Sequence, residues 1–139
     1  MNYRDQFLRL SELQSSGDNE DCWKEFYTEN VVRRITGLAP LVGRDACRQQ
    51  VQCFLDGLTA PQKIEPTATA FDDEKQVSIH EFRHDFSHRE YGAISQIQTH
   101  VQRWHEGRIY EENIYIINLY KRCRHRMIHL CTYNNNPKK

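Results

Sequence analysis

Hydrophobic positions change their period near the middle of this chain. Before residue 60 they recur at helical spacing, and after it they alternate. Phe7, Leu8, Leu10 and Leu13 mark an irregular amphipathic helix over about residues 3–15. Ser15-Ser16-Gly17-Asp18-Asn19 stops it, and Asp18 or Asn19 suits the N-cap of a short second helix carrying Cys22, Trp23, Phe26 and Tyr27. Val31 to Ile35 reads as a strand, and residues 36–40 as a loop. Gly43-Arg44-Asp45 opens a third helix. Its apolar positions, Cys47, Val51, Phe54, Leu55 and Leu58, follow i, i+4, i+7, i+8, i+11, the best helical stripe in the chain. Thr59-Ala60-Pro61 ends it.

Four strands are expected after that: Ile64 to Phe71, Val77 to His88, Ile94 to His105 and Ile109 to Tyr120. A turn at Asp72-Asp73-Glu74, a break at Glu90-Tyr91-Gly92 and a hairpin turn at Glu106-Gly107 separate them. The second of these runs reads His80-x-Phe82-x-His84-x-Phe86-x-His88. Side chains two apart share one face of a strand, so histidine and phenylalanine alternate along one face. Ile79, Glu81, Arg83, Asp85 and Ser87 fall on the other. Helices followed by adjacent strands predict an α+β fold, not a βαβ parallel sheet. Long strands on tight turns predict a strongly twisted sheet with the helices over its concave face. The result is a cone with a dead-end pocket, and ligands favour such concave, mostly apolar sites.

At 139 residues the chain suits one domain with a sizeable core. The domain is expected over residues 1–120, with 121–139 as a basic extension whose end, Asn134 to Lys139, frays. Lys+Arg and Asp+Glu are equal at 19 each, so no chain-wide field favours nucleic acid or membrane. The balance hides an asymmetry: Lys121, Arg122, Arg124, Arg126, Lys138 and Lys139 all follow the last acidic residue, Glu112. That segment lacks the aromatic interleaving of a base-stacking surface. It is expected to be a solvated strand extension or a dimer-edge element, and nucleic acid is not an expected partner. No run approaches the length of a membrane span, and the N-terminus has no apolar leader core. Five cysteines (Cys22, Cys47, Cys53, Cys123 and Cys131) form an odd set without a C-x-x-C pair, as expected of reduced thiols in a cytoplasmic protein.

Three phrases, in order, carry a resemblance: Gly17-Asp18 between the first two helices, Val42-Gly43-Arg44-Asp45-Ala46 opening the third, and Arg103-Trp104-His105-Glu106-Gly107-Arg108-Ile109 across the last hairpin. Over roughly residues 4–117 the chain resembles the nuclear-transport-factor-two-like superfamily, and within it the SnoaL-like and ketosteroid-isomerase-like proteins. The resemblance implies a cone-shaped α+β barrel of the cystatin-like kind, with a strongly curved mixed or antiparallel sheet and three helices in the N-terminal half. It also implies a homodimer through the sheet. Members include isomerases, polyketide cyclases, dehydratases and non-catalytic binders, so the fold leaves function open.

Ketosteroid isomerase sets an aspartate base beside an oxyanion hole of tyrosine and protonated aspartate. Carried onto this sequence, the tyrosine position falls on Leu10, the base near Arg33 or Arg34, and the protonated carboxyl on His100. That mechanism is therefore not expected. SnoaL-type cyclases use an acidic base in the sheet, which points to Glu112 with Glu111 beside it. Scytalone dehydratase uses two histidines on adjacent strands, which points to His84 and His100.

Along the strand over residues 94–105, Gln96, Gln98, His100, Gln102 and Trp104 are expected to face the cone. On the last strand the expected inward set is Tyr110, Glu112, Ile114 and Ile116. Histidine suits proton transfer because its unperturbed pKa is about 6.5. His100 with Glu112 then forms a base–orienter pair, with His84 near it. Gln102 or Tyr110 polarises a ligand oxygen, while Trp104, Phe82, Phe86, Trp23, Phe26, Phe54 and Ile114 supply wall. The bland alternative is that strand histidines are solvated or bonded to backbone, and it is the expectation for His80 and His88. Arg33 and Arg34 are expected as one solvated and one ion-paired residue. No H-E-x-x-H motif is present, and alternate strand positions lie about 6.5–7 Å apart, awkward for one zinc. No metal or cofactor is expected.

The expected function is a cofactor-independent lyase, isomerase or cyclase using His/Glu acid–base chemistry on a small hydrophobic or aromatic carbonyl ligand. A non-catalytic ligand-binding or accessory domain is the alternative. A third possibility is an interaction module using the sheet and the basic tail.

Overall fold

The alternating half of the chain forms most of one sheet. The computed structural model describes residues 2–16 and 20–119. In chain order the elements are α1 (Tyr3–Ser16), α2 (Glu20–Phe26), β1 (Tyr27–Ile35), β2 (Leu41–Val42), α3 (Arg44–Asp56), β3 (Lys63–Asp72), β4 (Val77–His88), β5 (Gly92–His105) and β6 (Arg108–Asn118). The strands pair in the order β2-β1-β6-β5-β4-β3. β1 runs parallel to β6, and every other pairing is antiparallel. The sheet is thus mixed and remains open, with β2 and β3 at its edges. Inward side chains from β1, β4, β5 and β6 border one cavity with α3, so the sheet wraps around it.

Two elements depart from expectation. β1 begins at Tyr27, four residues early, and β2 is too short to show a period. The basic segment 121–139, with Cys123 and Cys131, lies outside the described residues, as do the linker residues Asp18 and Asn19. The last hairpin turns where expected. Glu106 and Gly107 both take positive φ, 50° and 77°, as a two-residue turn between twisted strands requires.

Two clusters of side chains flank the cavity. At one end α1 and α2 set Phe7, Leu10, Trp23 and Phe26 against Val31, Trp104 and Ile109. At the other, Phe86, Tyr91 and Ile94 pack with Phe54 and Leu58 of the α3 region. His88 belongs to this second end. Its ring stacks on Tyr91 and on Phe54, with centroids 4.7 and 5.5 Å apart, and its Nδ1 accepts from the Glu90 amide at 3.1 Å. A Cβ on Gly57 would lie 2.0 Å from His88 Nε2, so only glycine permits this approach. His88 is thus a packing residue.

The convex face carries Arg83 paired to Asp85, and the exposed apolar side chains of Ile79, Tyr115 and Ile117. Among the described residues no helix is long and apolar enough to cross a membrane. Cys22 and Cys47 are buried, and Cys53 is exposed.

Candidate functional site

Strand register decides which side chains meet. His80 pairs with His100, Phe82 with Gln98 and His84 with Gln96 between β4 and β5. Between β5 and β6, His100 pairs with Ile114 and Gln102 with Glu112. The parallel β1–β6 pairing sets Arg33 beside Glu112 and Ile35 beside Ile114. α3 closes the space with Gln50, Val51, Phe54 and Leu55. The cavity measures about 350 Å³, at the small end of ligand pockets. Phe54, Phe82, Phe86, Ile35, Ile114 and Ile116 make it apolar on several sides, whereas Gln50, Gln62, His84, Gln96, Gln98 and His100 supply polar groups.

The polar groups form one chain of contacts. Gln62 Oε1 lies 2.7 Å from His84 Nε2 and can only accept, so the His84 ring carries its proton there. His84 Nδ1 is then a lone pair, and Gln98 Nε2 donates to it at 3.1 Å. Gln98 turns its carbonyl to His100, whose Nε2 donates at 2.8 Å. The other nitrogen of His100, Nδ1, faces Glu112 Oε2 at 3.7 Å. Glu112 also accepts from Arg33 Nε at 3.0 Å, from Gln102 Nε2 at 2.5 Å and from the Tyr27 hydroxyl at 3.4 Å. Behind it, Trp104 Nε1 donates to Ser78 Oγ at 2.8 Å, and Ser78 donates to Gln102 Oε1 at 3.1 Å.

Charge is concentrated below the cavity. Glu112 is 1% exposed. Burial disfavours its charge, but contact with His100, the Arg33 guanidinium and the Gln102 amide outweigh this and hold the carboxyl well below the usual range. Burial likewise opposes the charge on Arg33, which Glu112 restores. Burial and the adjacent Glu112 keep Tyr27 protonated. Burial pushes the Cys47 thiol up to about 11, so it is no thiolate nucleophile. His80 and His84 are both pushed down to about 4, by burial first and then by the neighbouring His100. Both rings are neutral at pH 7. Arg33 and Glu112 neutralise each other, and His84 presents a neutral imidazole to a ligand. Among the described residues no group of three or more His, Cys, Asp or Glu side chains is placed to hold a metal ion.

No protein-family model matches the chain, and no curated protein sequence matches it. Solved structures do. A candidate SnoaL-like polyketide cyclase from Mesorhizobium loti superposes with a TM-score of 0.65 at 16% identity, covering 83% of this chain and 99% of that one. A protein of unknown function from Burkholderia pseudomallei, described as nuclear-transport-factor-two-like, gives 0.71 at 14% identity, covering 95% and 98%. SalBIII, an epoxide hydrolase/cyclase-like enzyme of pyran ring formation in salinomycin, gives 0.68 at 17% identity, covering 83% and 90%. The chain has the nuclear-transport-factor-two-like fold. At these identities the likeness concerns the fold alone.

Within that fold, His84, His100, Phe54, Phe82, Phe86 and Ile114 all border the cavity. Glu112 and Gln102 lie directly behind His100 and are buried. Four expected site residues stand elsewhere. Trp23, Phe26 and Trp104 belong to the cluster at the α1–α2 end, because the two helices fill that end of the cone. Tyr110 is 42% exposed. A bulge explains it: Trp104 pairs with Ile109 but Arg103 pairs with Glu111, so Tyr110 is the extra residue and Ile109 takes the inward place. Leu10 is core, consistent with loss of the ketosteroid isomerase tyrosine. Both arginines of the doublet are ion-paired, against the expectation that one would be solvated: Arg33 is buried against Glu112, and Arg34 is half-exposed, 3.5 Å from Glu111. Gln98 and Gln62 were not singled out from sequence as site residues. Their only sequence signal was alternation for Gln98; Gln62 sits in a loop with none.

Proposed function

We propose that this protein is a cofactor-independent acid–base enzyme of the SnoaL-like isomerase, cyclase or dehydratase kind. It would move a proton next to a carbonyl group in a small, neutral, largely apolar ligand. One observation carries the proposal: the Gln98 amide bridges His84 Nδ1 and His100 Nε2. An amide O=C–N–H has nearly the shape of a ketone O=C–C–H. A ligand that displaces Gln98 finds a donor aimed at its oxygen and a lone pair aimed at its α-proton. The α C–H bond breaks, the proton passes to His84 Nδ1, and the electron pair moves onto the carbonyl oxygen. His100 Nε2–H stabilises the resulting enolate, and Glu112 holds the His100 ring in place. The enolate then regains a proton at another carbon or attacks a carbonyl elsewhere in the ligand. A base at about pKa 4 is weak, so a simple ketone holds its proton too tightly. A 1,3-dicarbonyl compound does not, and it is the proposed substrate class.

The structural likeness to cyclase-type proteins supports this reading at the level of fold only. A second reading has its own support. Every ring nitrogen of His84 and His100 already faces a protein partner, as in a non-catalytic binder whose polar groups satisfy one another. Deuterium exchange separates the two. Ethyl benzoylacetate, a neutral 1,3-dicarbonyl, is followed by proton NMR in D2O. Exchange at its central carbon should exceed the buffer rate by about 10²–10⁴, and His84→Ala and His100→Ala should each abolish the excess. Saturable binding with exchange at the buffer rate would favour the binder.

The protein is further proposed to act in the cytoplasm as a homodimer through its convex face. Cys47 and Cys53, described without a disulfide, support the first, and the exposed side chains of Ile79, Tyr115 and Ile117 support the second. Sedimentation should give twice the chain mass for the wild type and the single mass for Ile117→Lys. A monomeric wild type would refute the dimer.

A further inference from the structure

Five glutamines border the cavity: Gln14, Gln50, Gln62, Gln96 and Gln98. Three of them have their amide oxygen committed. Gln50 accepts from Arg33, Gln62 from His84 and Gln98 from His100. Gln14 stands exposed on α1. Gln96 differs from all of these. It is 2% exposed, and its Oε1 is buried with no hydrogen-bond partner among the described residues. Its position is fixed by the sheet, between His84 on β4 and Asn118 on β6. A buried acceptor without a partner is costly, and such groups are normally satisfied.

We infer that Gln96 is a specificity residue whose amide oxygen accepts a hydrogen bond from a hydroxyl or N–H group of the bound ligand. The inference rests on the pocket reading above and adds a second polar point to the ligand. Gln96 and Gln98 are successive inward residues of β5. Side chains at such positions lie about 6.5–7 Å apart. A ligand whose carbonyl takes the place of the Gln98 amide therefore carries its donor at a similar distance from the carbonyl oxygen. A para-hydroxyphenyl ketone has this separation, and its ring suits the space beside Phe82, Phe86 and Phe54. A carboxylate or phosphate at the same place would face an acceptor oxygen, and the one arginine among the described lining residues is paired with Glu112, so anionic ligands are disfavoured.

The probes are 4-hydroxyacetophenone and acetophenone, with dissociation constants measured by NMR titration of the full chain. The wild type should bind the hydroxylated ketone about tenfold more tightly, the worth of one good hydrogen bond. Gln96→Met keeps the length and removes the acceptor. It should bring the two affinities within about twofold of each other while acetophenone binding persists. Equal affinities in the wild type would overturn the inference and leave the pocket standing, and this comparison holds even if the variant misfolds. A tenfold preference that survives in a folded Gln96→Met would also overturn it. If the wild type binds neither ketone, the pocket reading falls and this inference with it.

Discussion

Replacing Glu112 by alanine should destabilise the protein by about 3–5 kcal/mol. Glu112 is 1% exposed, and Arg33 beside it is 12% exposed. Removing the carboxylate leaves the guanidinium buried without a counter-charge. It also strips Gln102 Nε2 and the Tyr27 hydroxyl of their acceptor. Each donor left unsatisfied adds its own penalty. The double replacement Arg33→Leu with Glu112→Leu should cost far less than either change alone, because an apolar pair of similar volume removes both charges together. Urea unfolding of the two single variants and the double variant completes the cycle. A Glu112→Ala cost below about 1 kcal/mol would mean that the pair is open to water. The same substitution should abolish turnover, since His100 Nδ1 then loses its carboxylate partner when a ligand displaces Gln98.

Acidification from pH 6.5 to 4 should weaken the fold before any carboxylate protonates extensively. His84 titrates near 6.5 when unfolded but at about 4 in the fold. Between those values the unfolded chain binds the proton and the native state does not, so stability rises with pH across the window. The contribution is complete above about 6.5 and fully lost below about 4. For His84, 6% exposed, it amounts to about 3 kcal/mol. His80 acts in the same sense, since it too is pushed down to about 4. Glu112 belongs to a lower window. Its stabilisation is present above its unfolded value near 4.3 and disappears as pH falls through its lowered folded value. Thermal unfolding at pH 7.0 and 4.5 measures the histidine effect, and His84→Gln should remove much of the difference. A melting temperature constant between those pH values would show that neither ring is buried neutral.

The parts legible from sequence were those governed by a strict period. β4 alternates over twelve residues, and its buried face carries the expected His–Phe row. β5 pairs in unbroken register from Gln96 to Gln102 on both sides, so Gln96, Gln98, His100 and Gln102 all face inward as expected. Errors came where period fails. Counting by twos back from Glu112 predicts Tyr110 inward, but the bulge opposite Trp104 shifts the frame and buries Ile109. Trp23 and Phe26 sit on a seven-residue helix, whose apolar face reveals that it packs but not against which end of the cone. Arg33 meets Glu112 through a parallel pairing of residues 79 apart, and nothing local to either residue encodes that. Sequence pointed to His84 and His100 as an adjacent-strand pair, but the register sets His80 opposite His100 and His84 opposite Gln96, so His84 reaches His100 only through the Gln98 side chain.

The central claim is that Gln98 holds the place of a ligand between a neutral His84 acceptor and a His100 donor. Histidine ring nitrogen NMR tests it most directly, on the protein at pH 7 with and without ethyl benzoylacetate. The account predicts a His84 ring protonated at Nε2 and bare at Nδ1. It also predicts that the ligand shifts His84 Nδ1, His100 Nε2 and the Gln98 amide together. A His84 proton on Nδ1, or saturating ligand that leaves all three signals unmoved, would contradict it.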